Sequence, residues 1–210
     1  MVLDRVESTK FLGVIVDSRL TWNAHITSIC SKIARGVSAL TCARYHVPRK
    51  LLLWLYHSLI YPHLIYCNIV WGSAASSRLN RLVSLQKRAI RILSGSHYYA
   101  HTSPLFLNLK LLKLVDINKY LIVQFLFKHK YLLLPASCMH LVKVNSIDHM
   151  YNTRKCVSYF TKPNCRTMRQ ELEISHRGPV IWNSLPAAIT QLSYISVFQK
   201  TVLAYFFSTY

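Results

Sequence analysis

Residues 10–26 read KFLGVIVDSRLTWNAHI. A short apolar run from Phe11 to Val16 stops at Asp17-Ser18, and Trp22 and Ile26 then recur one helical turn apart. The pattern changes from that of a strand to that of a helix within a few residues. Residues 2–7 and 9–16 predict two strands joined by a tight turn near Glu7-Ser8, with Gly13 allowing a close backbone approach. Thr21 can cap the following helix. Trp22, Ile26, Ile29, Ile33, Val37 and Leu40 then recur at spacings of three and four, which is one apolar stripe. Asp17 stands at the strand's end, where catalytic carboxylates are often carried. It has no carboxylate partner nearby, and its short polar side chain suits a turn former.

Downstream, Pro48 is placed to start a second helix over 49–60, apolar on nearly every side and therefore expected at the centre. Residues 51–71, LLLWLYHSLIYPHLIYCNIVW, hold no Lys, Arg, Asp or Glu and are long enough to span a bilayer. His57, Pro62, His63 and Asn68 interrupt them, so two short buried helices are expected, the second running from Pro62 to near Trp71-Gly72. SAASS at 73–77 is a loop. RLNRLVSLQKRAIRIL at 78–93 is the clearest amphipathic helix. Leu79, Leu82, Val83, Gln86, Ile90 and Leu93 lie on one face, with Arg81, Lys87, Arg88 and Arg91 on the other. A helical pattern returns over 105–134, and a closing helix is expected from about Ile195, with Ser196 and Gln199 as a capping box.

Charge is the most lopsided property of the chain. Lys and Arg number 26 against 7 acids, a net charge of +19 over 210 residues. No acid lies between Asp17 and Asp116, while thirteen cations do. Such a surface repels itself unless an anionic partner is present, and nucleic acid or an anionic membrane is the usual one. A solvated helix face normally mixes both signs; residues 78–93 carry five cations and no acid, which favours phosphate contact. Lys32 and Arg35 add to this on the first helix. Between residues 135 and 177, Arg154, Lys155, Lys162, Arg166, Arg169 and Arg177 alternate with Tyr151, Tyr159 and Phe160, a mixture that suits single-stranded nucleic acid.

Several chemistries find no support. Two-metal nucleotidyl transfer needs converging carboxylates, and the sequence has neither a DD pair nor a DxD. No GxxxxGK[ST], GxGxxG or GxSxG motif occurs. Cys138, His140, His149, Cys156 and Cys165 do not have the spacing of a zinc site. The six cysteines form no CxxC and sit mostly in apolar context, as reduced core cysteines do. No secretory signal opens the chain. A nuclear or cytoplasmic location is expected, with no metal and no cofactor.

KFLGVIVDSRLTWNAHI resembles the block that follows the catalytic palm in reverse transcriptases of non-LTR, LINE-type, jockey-like retrotransposons. LYHSLIYPHLIYCNIVWG at 55–72, LVSLQKRAIRIL at 82–93, SPLFLNLKLLKLVD at 103–116 and GPVIWNSLP at 178–186 continue the resemblance in order. The resemblance implies that residues 2–16 are the hairpin that grips the primer, with Phe11, Leu12 and Gly13 at its tip, and that the next helices are a thumb closing on template–primer. It also implies that the catalytic palm lies upstream of Lys10, so no polymerase activity is expected. The expected fold is mainly α. A primer-grip-like hairpin (1–17) precedes thumb-like helices (18–72), a basic amphipathic helical region (73–134), and an irregular basic segment with C-terminal helices (135–210). The expected function is a non-catalytic fragment that binds template–primer through Lys32, Arg35, Arg78, Arg81, Lys87, Arg88 and Arg91, without a small-molecule substrate. The alternatives are a basic membrane-associated helical protein with residues 51–71 inserted, and a pseudogene product without selected function.

Overall fold

The strand pattern after Ser8 folds back on itself. β1 (Ser8–Phe11) pairs antiparallel with β2 (Val14–Asp17), in a register that sets Ser8 opposite Asp17 and Phe11 opposite Val14. The turn is therefore Leu12-Gly13 and not Glu7-Ser8. Both turn residues have positive φ, 44° at Leu12 and 83° at Gly13. That is the backbone of a two-residue hairpin whose twist matches its strands. Glycine adopts it freely, whereas leucine is strained there. These observations come from a computed structural model that describes residues 6–145 and 160–210. Residues 2–5 of the first expected strand fall outside the described residues, as do Tyr151, Arg154, Lys155, Tyr159, His149 and Cys156.

The fold is mainly α, with this short hairpin at its start. The helices are α1 (Asn23–Ala43), α2 (Arg49–Leu59), α3 (Tyr61–Ile65), α4 (Asn68–Trp71), α5 (Ser76–Ser94), α6 (Ser103–Asn108), α7 (Leu114–Lys130), α8 (Ala136–Met139), α9 (Met168–Leu172), α10 (Ile174–Asn183), α11 (Ala187–Thr190) and α12 (Ile195–Ser208). They form two compact units, residues 1–118 with Tyr210, and residues 119–209.

In the first unit, α1 packs along α5, with α2 and α3 against its flank. Every member of the expected stripe, Trp22, Ile26, Ile29, Ile33, Val37 and Leu40, is buried. Leu82, Gln86, Ile90 and Leu93 of α5 are buried too, with Ala89 and Ile92. Gln86 supplies a polar lock inside this apolar seam. Its Nε2 donates to the Leu112 carbonyl at 2.9 Å and to the Tyr56 hydroxyl at 3.3 Å. Its Oε1 accepts from the Leu114 N–H at 2.9 Å. Burial pushes the Tyr56 hydroxyl up to about 12 against the effect of the Gln86 contact.

α2 differs from expectation. Only Leu52 and Tyr56 of it are buried, while Leu51, Trp54 and Leu59 are exposed. Its neighbours α1, α3 and α5 cover only one side of it, and an all-round apolar sequence does not say which side that will be. The helix expected from Pro62 to Trp71 is broken at Tyr66-Cys67, where Cys67 has φ 50°. Asn68, just after the break, is buried and donates back to the Leu64 carbonyl at 2.8 Å. Asn118 Nδ2 donates to the Asn68 carbonyl at 3.0 Å and to its side-chain oxygen at 2.8 Å. Gly72 is where this cluster presses on the backbone. A Cβ there would stand 2.3 Å from Asn118 Nδ2, so no larger residue fits.

The second unit is built on aromatic packing. Phe127 and Phe198 stack with centroids 4.2 Å apart, and Trp182 meets Phe198 at 5.8 Å and Phe160 at 5.5 Å. Phe160 is fully buried, which removes it from the expected alternation of exposed rings and cations. Gly178, Pro179 and Trp182 of the GPVIWNSLP block are the buried residues of α10. His129 donates through Nε2 to the Met139 carbonyl at 2.9 Å, and the Tyr131 hydroxyl donates to Leu192 at 2.8 Å. The expected capping box at Ser196 does not form: α12 is preceded by Tyr194, with no side-chain cap.

Candidate nucleic-acid interface

The opening stretch folds as a braced lever. Asp17 accepts hydrogen bonds from the Thr21 and Trp22 N–H groups, both at 2.8 Å. Partial burial raises its carboxyl, but these donors and the Thr21 hydroxyl outweigh it and hold Asp17 below the usual carboxylate range. Asp17 thus shapes the turn and caps the approach to α1. As a helix cap Thr21 contributes less than expected, since the Asn23 N–H meets its hydroxyl only at 3.5 Å. Replacing Asp17 with Ala should lower stability by about 1–2 kcal/mol at neutral pH, read as a fall in Tm. Its folded pKa is depressed, so its contribution is complete above the unfolded value near 3.9 and is lost as pH falls through the folded one. The gap between the proteins should close on acidification; a gap that persists at low pH would contradict this role.

The tip is held from the helical side. The Tyr66 hydroxyl donates to the Leu12 carbonyl at 2.5 Å, and Trp71 Nε1 donates to the Tyr66 carbonyl at 2.7 Å. The Trp71 ring meets His25 edge-on at 5.9 Å, and His25 Nδ1 accepts from the Ile15 N–H at 3.3 Å. Burial, aided by the Lys32 charge, lowers the His25 pKa and keeps its ring neutral. With its backbone anchored, the tip presents Phe11 and Leu12 to solvent, 68% and 74% exposed. Nothing in the sequence signalled Tyr66 as the brace, because its partner lies 54 residues away.

The seven expected phosphate contacts divide into groups. Lys32 and Arg35 line an open groove with Gly36, Ala39, Ser58, Leu59 and His63, on the side of α1 that faces α2 and α3. Burial and then these two cations lower the His63 pKa, so the groove's positive charge comes from Lys32 and Arg35. Arg81, Lys87 and Arg88 are exposed on the outer face of α5. Arg81 also lies close enough to Cys30 of α1 to oppose the upward push of burial on that thiol. Arg78 and Arg91 are half-buried and have partners within the protein. Arg78 Nη1 donates to the Thr21 carbonyl, tying α5 to the strand–helix junction. Arg91 Nε donates to the Ala100 carbonyl at 3.0 Å, with its guanidinium 5.9 Å from the centre of the Tyr98 ring.

Among the described residues, no group of three or more His, Cys, Asp or Glu is placed to hold a metal ion, and no helix is long and apolar enough to cross a membrane. Of the described cysteines only Cys30 is buried; Cys42 and Cys67 are exposed. Most were expected in apolar surroundings, but helix ends and the break at Cys67 bring two of them to the surface.

The chain is 35% identical over 114 residues to the RNA-directed DNA polymerase from mobile element jockey of Drosophila melanogaster, covering 52% of this chain. It is 31% identical over 118 residues to the jockey enzyme of Drosophila funebris. It is 29% identical over 117 residues to the probable RNA-directed DNA polymerase from transposon X-element of Drosophila melanogaster. Over about half of its own length the chain is similar to the RNA-directed DNA polymerases of these mobile elements. The matched part spans only 12–13% of these polymerases' own length. No family profile matches the chain, and no solved structure does.

Proposed function

We propose that this chain is a nucleic-acid-binding part of a mobile-element RNA-directed DNA polymerase, without polymerase activity of its own. It engages template–primer through the cations of α1 and α5 and sets the Phe11–Leu12–Gly13 tip against the primer strand. The observation that carries this reading is the outer face of α5. Arg81, Lys87 and Arg88 stand exposed there, in a stretch from Asp17 to Asp116 that contains no acid between its ends. The relationship to polymerases supplies the kind of anion such a face meets. The braced hairpin supports the positioning role, since a tip that is exposed and anchored can hold a strand end. Catalysis is assigned elsewhere because the sequence has neither a DD pair nor a DxD and metal-assisted transfer requires converging carboxylates.

The test is a salt titration of the full chain with a short RNA–DNA primer–template hybrid. Phosphate-dominated binding predicts a linear fall of log affinity with log salt, steepening by about 0.9 for each phosphate neutralised. Affinity that is absent at low salt, or indifferent to salt, would overturn the proposal.

A further inference from the structure

The exposed face of α2, which the sequence placed at the centre of the fold, carries an arrangement that α5 lacks. From Arg44 to Leu51 the chain passes from α1 to α2 along the surface, with Arg44, Tyr45, Arg49 and Lys50 all exposed. Tyr45 is 72% exposed, with the Arg44 guanidinium 4.5 Å from its ring centre. One and a half turns into α2, Trp54 is 58% exposed, with Lys50 Nζ 5.7 Å from its ring centre. Single exposed rings are common on protein surfaces; what sets these two apart is the cation at each, and the charge expected of the occupant is negative. Arg49 and Lys50 also line an open cavity of about 390 Å³, with Leu53, Ser94, Ser96 and Asn108 among its other walls, which is within the size range of small-ligand sites.

We infer that this face is a base-stacking platform for single-stranded nucleic acid, with Tyr45 and Trp54 as the stacking rings and Arg44, Arg49 and Lys50 as phosphate contacts. It rests on the proposed nucleic-acid-binding function and adds to it an unpaired strand. A duplex offers phosphates but keeps its base faces stacked inward, so exposed rings gain little from it. An unpaired strand offers both, and rings interleaved with cations are the usual means of holding one. The centre of a protein–protein interface, by contrast, is depleted in lysine, whereas Lys50 stands over the Trp54 ring.

Fluorescence provides the test, because Trp22, Trp71 and Trp182 are buried and Trp54 is the tryptophan that a ligand would quench. The full chain is titrated with oligodeoxythymidine of about a dozen nucleotides and with an abasic strand of equal length, which keeps the phosphates and lacks the bases. The bases should quench the emission and bind about ten-fold more tightly than the abasic strand. Trp54→Ala and Tyr45→Ala should each remove most of that preference, while Trp54→Phe, which keeps a ring, retains it. Affinity for the hybrid duplex should not change in any of these variants. Equal affinity for the two strands, or a Trp54→Ala protein that binds oligodeoxythymidine like the unmodified chain, would overturn the platform and leave the face to a protein partner. Failure of the hybrid and both strands to bind would instead overturn the function on which it rests.

Discussion

Replacing Gln86 with Leu should cost about 2–4 kcal/mol of stability, although it puts an apolar residue at an apolar position. Gln86 is 1% exposed. Its side chain satisfies the Leu112 carbonyl, the Leu114 N–H and part of the Tyr56 hydroxyl. Leucine satisfies none of them. Each buried polar group left without a partner costs about 1–3 kcal/mol. The opposing gain from burying a leucine is about 1.5–3 kcal/mol, and two to three orphaned groups exceed it. The same contacts link α5 to the chain entering α7, so the loss should be cooperative and not confined to one helix. Urea unfolding of the Gln86→Leu and Gln86→Met proteins measures it, with the exposed Ser84→Leu substitution on the same helix as control. A cost below about 0.5 kcal/mol for both Gln86 variants, the range of a surface change, would show that these contacts do not lock the seam.

The position of Gln86 on the buried face was legible in the sequence, but its role was not. Periodicity places a residue on a face; it does not name partners 26, 28 and 30 residues away. The same division runs through the molecule. The stripe from Trp22 to Leu40 was readable because a helix with one wet face must repeat near 3.6. The hairpin was readable in kind and misplaced in register. Its turn forces a leucine into positive φ, which propensity argues against and which the Tyr66 contact at the Leu12 carbonyl helps to hold. α2 was misread because apolar residues on all sides carry no directional information. Of the candidate interface, the cations of α5 were visible as a run without acids. That Arg78 and Arg91 have carbonyl partners within the protein depends on Thr21 and Ala100, which no local pattern marks.

That division yields the largest functional effect expected. In the triple variant Arg81→Gln, Lys87→Gln, Arg88→Gln, the slope of log affinity against log salt should fall by about 2–3, at about 0.9 for each phosphate contact removed. Affinity for the hybrid near physiological salt should drop roughly a hundred-fold or more on the same relation. Stability should hardly change, because all three side chains are exposed and surface substitutions stay within about 0.5 kcal/mol. Removing three like charges from one helix face should, if anything, relieve repulsion. The double variant Arg78→Gln, Arg91→Gln should behave in the opposite way. It removes donors from the Thr21 and Ala100 carbonyls, so its Tm should fall while its salt slope moves by less than that of the triple variant. The contrast matters because all five residues belong to one sixteen-residue segment and would weigh equally if net charge alone drove binding. A double variant that flattens the salt dependence as much as the triple one would show that the overall field of the helix, and not its outer face, meets the phosphates.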